Sequence, residues 1–155
     1  MPKVLKRLLT KWTVEIDVDS TRQWYASSAG WACDCAHCHN FLTIAHERKL
    51  PIQLLEVLDD LNISPEKSTY VCETYPDGDG YCYQVNFRVA GKILHGDESS
   101  LDSYDWGAVR CCHDPYPHGA PGFPEPHFDL QFWVTLPWVL PFAKNWRDVL
   151  RPKGQ

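Results

Sequence analysis

The sequence predicts an α+β fold: an antiparallel sheet of five or six strands, one or two helices and a zinc knuckle. Three observations predict it. Trp12–Val18 and Tyr81–Val89 alternate apolar and polar residues, the period of half-buried strands. A leucine-rich stretch opening at Pro51 has helical spacing. Cys33-Asp34-Cys35-Ala36-His37-Cys38-His39 packs three thiols and two imidazoles into seven residues.

The elements follow in order. Trp12, Val14, Ile16 and Val18 share one strand face, and Thr13, Glu15 and Asp17 the other. Asp19-Ser20-Thr21 reads as a turn and Gln23–Ala26 as a short returning strand. Asn40 is placed to cap a short helix over Phe41–His46. Pro51 suits the first position of a second helix reaching about Leu61. Leu54, Leu55, Leu58 and Leu61 fall on its inner face, and Asn62 and Pro65 stop it. Ser68–Thr74 is a strand, followed by the turn Pro76-Asp77-Gly78-Asp79-Gly80. Tyr81–Val89 is the longest alternating run, with Gly91 marking a bulge or bend. Gly96–Ser103 reads as an acidic loop and Trp106–Cys112 as a strand. Asp114–Pro126 holds five prolines and two glycines, which excludes regular helix or central strand. Phe128–Leu136 is the last strand, ended by Pro137.

At 155 residues the chain reads as one domain, 1–155. A hydrophobic content of 44% argues against disorder. No stretch approaches the roughly 20 apolar residues of a membrane helix, and Met1–Trp12 lacks the apolar core of a signal peptide. A cytoplasmic, reducing location is therefore expected, where thiols stay free or bind metal. The odd number of cysteines, seven, also speaks against a closed disulfide framework.

Charge is uneven. Residues 1–11 carry +4 through Lys3, Lys6, Arg7 and Lys11, and residues 144–155 carry +3. The net charge of −5 therefore leaves −12 on the span between them. Such a body repels phosphate backbones, so duplex nucleic acid is not an expected partner. The basic ends read as solvated tails.

Zinc prefers thiolate sulfur and imidazole nitrogen, held tetrahedrally. Cys35 and Cys38 have the two-residue spacing that a turn presents to one ion, and Cys33 supplies a third thiol. Cys111, Cys112, His113, His37 and His39 compete for the fourth place. Cys112 is preferred, because Cys111-Cys112-His113 is the second dense cluster and only one of its adjacent thiols can face the ion. Zinc is the expected cofactor, in a structural role. Cys72 and Cys82 read as small buried hydrophobes.

Catalytic signatures are missing. The zinc-deaminase order of His-x-Glu and a later Pro-Cys-x-x-Cys is not met. His-Glu-x-x-His, Gly-x-Ser-x-Gly, a phosphate loop and Gly-x-Gly-x-x-Gly are absent. His113, His118 and His127 frame the proline-rich loop, and a metal-dependent enzyme using them is the alternative reading. A small-ligand binder with a Trp- and Tyr-lined pocket is another. The preferred reading is a protein that binds a partner with a basic surface, with Asp97, Glu98, Asp102 and neighbouring Asp105 as the acidic contact and Trp138 as an aromatic one.

Trp31-Ala32-Cys33-Asp34-Cys35, Cys38, Asn40-Phe41, Val89-Ala90-Gly91-Lys92-Ile93 and Leu130-Gln131-Phe132 with Leu136-Pro137-Trp138 together resemble a family of small uncharacterised bacterial and phage proteins. The Cys-x-Cys-x-x-Cys-x-Asn-Phe stretch is the specific part. The resemblance implies zinc and a bacterial or phage origin, and an inhibitor of a host protein fits that setting.

Overall fold

The computed structural model describes residues 4–113 and 119–141. His118, Trp146 and the basic segment 144–155 lie outside them. The architecture is α+β with an antiparallel sheet. The described residues hold seven strands and three helices, more than the five or six and one or two expected.

The strands are β1 (Val4–Leu9), β2 (Trp12–Asp17), β3 (Tyr70–Asp77), β4 (Gly80–His95), β5 (Asp102–Tyr104), β6 (Gly107–Cys112) and β7 (His127–Pro137). The helices are α1 (Val18–Ser27), α2 (Ala36–His46) and α3 (Ile52–Asp60). Strand order is β1-β2-β4-β7-β6-β5, with β3 also paired to β4.

Strand β4 organises the sheet. One edge pairs with β7 along its length, from Gly80↔Pro137 to Ala90↔His127. The other edge is shared: β3 takes Gly80–Asn86, and β2 takes Gly91–His95. Gly91 makes the second pairing possible. Its φ is +144°, and a Cβ there would lie 1.9 Å from the Glu15 carbonyl oxygen. Helix α1 serves the gap between β2 and β3. Thr21 Oγ1 accepts from Ala90 N at 3.1 Å, and Tyr25 Oη donates to Arg88 O at 2.7 Å. Side-chain hydroxyls thus satisfy backbone groups that no strand reaches.

The inner face carries the core. Tyr83, Val85, Phe87 and Val89 align with Val134, Phe132, Leu130 and Phe128, all buried. Phe41 and Ile44 of α2 and Leu54 and Leu58 of α3 join the same cluster. The other face was expected to be the solvent side of alternating strands, but much of it is buried. Asn86, Arg88, Asp129 and Gln131 are all under 5% exposed. Arg88 Nε meets Asp129 Oδ1 at 3.0 Å, and Arg110 donates to Gln131 Oε1 at 2.7 Å.

Four local expectations change. Val4–Leu9 is strand β1 and not a solvated tail. Residues 18–27 form α1 and not a turn and strand, because Asp17 caps it by accepting from Ser20 N at 3.0 Å. Helix α2 starts at Ala36, with Cys35 as its cap, so Asn40 is interior and buried. Trp106 sits with Asp105 in the two-residue turn joining β5 to β6.

Candidate metal centre

The loop after α1 leads through Trp31 and Cys33 into the first turn of α2. Cys35 is the N-cap, with extended backbone at φ −80° and ψ 164°. Its sulfur accepts from Cys38 N at 3.5 Å. An N-cap and the residue three positions on lie over one turn, so Cys-x-x-Cys delivers both sulfurs to one point. Cys33 joins them. The ligand atoms of Cys33, Cys35 and Cys38 all lie within 4.8 Å of one another. This group can hold a metal ion, and all seven cysteines are free thiols.

The surroundings suit thiolate. The open amides and positive end of a helix N-terminus favour an anion at Cys35. Trp31 Nε1 donates to Cys38 Sγ at 3.2 Å. A hydrogen bond from Cys38 brings the Cys35 thiol down to about 5, helped by the Cys38 amide and Cys33 against partial burial. Cys38 moves the opposite way, because its proton serves that bond and because it is buried. Cys35 and Cys38 therefore share a proton that a bound cation would replace.

His37 anchors the turn. It is 3% exposed, and its ring packs edge-on to Tyr81 at 4.5 Å and to Trp138 at 5.4 Å. Its Nδ1 has no partner among the described residues. His39 points to the exposed side, where Nε2 meets Asp34 Oδ1 at 3.0 Å. Neither imidazole belongs to the sulfur group. Trp138, expected to be an external contact, is half-buried in this aromatic cluster.

The structure does not bring Cys112 to the group either. Cys112 pairs with Asp129, which pairs with Arg88, so all three lie on the face opposite the core. Helix α2 packs on the core face, where Phe41 meets Tyr83. The sheet therefore stands between Cys112 and the three sulfurs. Cys111 faces the core, and burial pushes its thiol up to about 12. His113, at the end of β6, is held by Glu98, with Nδ1 2.8 Å from Oε1. Among the described residues the group contains three ligands, Cys33, Cys35 and Cys38.

The histidines of the alternative reading form no metal-capable group among the described residues. His127 opens β7 and packs on Phe123 at 5.8 Å. Cys72 lies opposite Gln84, and Cys82 opposite Tyr75, so these two thiols are not register partners.

Of the acidic residues, Asp97 and Glu98 are tied into the loop between β4 and β5, and Asp102 opens β5. Asp97 Oδ1 accepts from the Ser99 hydroxyl and amide, and both bonds hold its carboxyl below the usual range. Glu98 is raised by partial burial, but its bonds from His113 outweigh this and hold it low. Asp102 accepts from Tyr104 Oη at 3.0 Å. Both Leu94 and Leu101, flanking this loop, are exposed.

Sequence reasoning missed the role of Trp31. The signal was present in its position seven residues before Cys38, but an indole donor to sulfur leaves no periodic pattern. No described helix is long and apolar enough to cross a membrane. No protein-family model, curated protein or solved structure matches the chain.

Proposed function

We propose that this chain is a zinc-stabilised cytoplasmic protein that acts by binding another protein, one that presents a basic surface. The convergence of three free sulfurs within 4.8 Å at the N-terminus of α2 carries the metal part of the reading. Three thiolates with N–H donors around them favour zinc over a hard cation, which prefers oxygen. The ion links the loop before α2 to the helix, and a structural role follows from that position. Free thiols throughout fit a reducing compartment.

The binding part rests on charge and exposed apolar surface. Asp97 and Glu98 lie between Leu94 and Leu101, both exposed, and Asp102 follows Leu101 directly. Carboxylates beside leucines complement a basic protein face better than they complement phosphate. An inhibitor borne by a phage or mobile element is the setting that the sequence resemblance implies.

The test is capture from the native host with the full chain and with a Asp97→Lys, Glu98→Lys, Asp102→Lys variant. The expected result is a basic protein retained by the natural chain and not by the variant, with association slowing as salt rises. Tight, salt-sensitive binding to duplex DNA would overturn the reading.

A further inference from the structure

We propose that the outer sheet face carries a binding site for an alkylammonium cation, walled by Tyr75, Tyr104, Trp106 and Trp133. The site lies on the face away from α2 and is separate from the sulfur group.

Its shape follows from the register. Trp133 pairs with Ala108, and Thr135 with Cys82, which places all four on the outer face. Cys82 and Ala108 are small, so the sheet is low between its larger neighbours. Tyr75 rises on one side from β3, and Tyr104, whose partner Gly107 is on the core side, lines the cavity from the β5 edge. The result is a cavity of about 420 Å³. That volume is within the range of small-molecule sites and admits a trimethylammonium group or a lysine side chain.

Its chemistry selects charge. Aromatic faces attract cations through their quadrupole, most strongly when water is excluded. Trp133 already has the Arg110 guanidinium 5.3 Å from its ring centre. Tyr104 and Trp106 stack with centroids 5.0 Å apart and planes 12° apart; the pair packs against the core and lines the cavity at its β5 end. Asp77 and Asp105 line the same cavity, and no lysine or arginine does. Asp77 is fixed by Thr135 Oγ1, 2.8 Å from Oδ2. Aromatic walls with two carboxylates and no lining base favour a cation over a neutral or anionic ligand.

The same ammonium chemistry comes from two sources, a free quaternary amine or a lysine of a protein partner. The second source would deepen the protein-binding reading; the first is independent of it.

The probes are choline, its neutral isostere 3,3-dimethylbutan-1-ol, and a capped Gly-Lys-Gly peptide, titrated into the full chain. The readouts are calorimetry and the indole N–H resonances of Trp106 and Trp133. At least one cation should bind saturably and shift these resonances, with the neutral isostere weaker by roughly three- to thirtyfold. Choline binding tighter than the peptide assigns a free amine, and the reverse assigns a partner's lysine. Trp133→Leu and the double change Asp77→Asn, Asp105→Asn should each weaken binding several-fold while metal content and melting temperature stay unchanged. If Trp133→Leu does not fold, the carboxylate variant, which keeps the cavity's shape, decides. Equal binding of choline and its isostere, or no binding of either cation, would overturn the proposal and leave metal content and partner capture untouched.

Discussion

The indole Nε1 of Trp31 donates to the sulfur of Cys38 at 3.2 Å, seven residues along the chain. A donor aimed at a thiolate orients the ligand and moderates its charge, as outer partners of metal ligands do. The natural chain, purified without chelator, should carry close to one zinc. Trp31→Phe keeps the ring but removes the donor, and should weaken zinc by about ten- to a hundredfold. Competition with a chromogenic chelator measures it. Fully reduced natural protein without metal would remove the basis for a zinc centre.

Cysteines at different places should respond differently. Ligand binding by thiolates is linked to folding, so a chelator should lower the melting temperature substantially. Cys35→Ser and Cys38→Ser should reproduce that loss. Cys112→Ser should leave metal content intact, because Cys112 stands on the other sheet face. Cys72→Ser, at a half-buried edge position, should also spare it. Metal lost equally in all four variants would mean that the thiols contribute as general packing residues.

What could be read from the sequence depended on whether one pattern spoke alone. Trp12–Val18 alternates with every second residue apolar, and β2 occupies Trp12–Asp17. Tyr81–Val89 was equally plain, but Gly91 hid the continuation of β4 to His95. Helix α1 was hidden by Asp19, Ser20 and Thr21, which suit turns and first helical turns alike; Thr21 and Tyr25, buried four residues apart, carry the helical period. Strand β1 left little trace because only Leu9 of its six residues is buried. The three sulfurs were legible because their ligand chemistry is local. Cys112 was not placed correctly because choosing between adjacent thiols requires knowing which sheet face the helices cover.

The Arg88–Asp129 pair gives a second kind of prediction. Both side chains are at most 5% exposed, and Nε lies 3.0 Å from Oδ1. Removing one member of such a pair deprives a buried charge of this contact. Asp129→Ala should therefore cost about 3–5 kcal/mol in urea unfolding. Replacing both residues by apolar ones, Arg88→Met with Asp129→Leu, should cost much less than the single change. Additive losses would mean that the two charges do not stabilise each other.

His127 should titrate below the usual histidine range. Partial burial is the largest cause, and the positive charge of Arg88 adds to it; Asp129 and Glu125 oppose both. The folded pKa is thus lower than the unfolded one, near 6.5. Between those two values the unfolded chain binds more protons, so stability falls as pH drops through that window. Above the unfolded pKa both states are neutral and the group contributes nothing. Proton NMR of the imidazole should show a midpoint below 6.5, and Glu125→Gln, which removes an opposing negative charge, should lower it further. A midpoint above 6.5, or an upward move in the variant, would show that the carboxylates outweigh burial and Arg88.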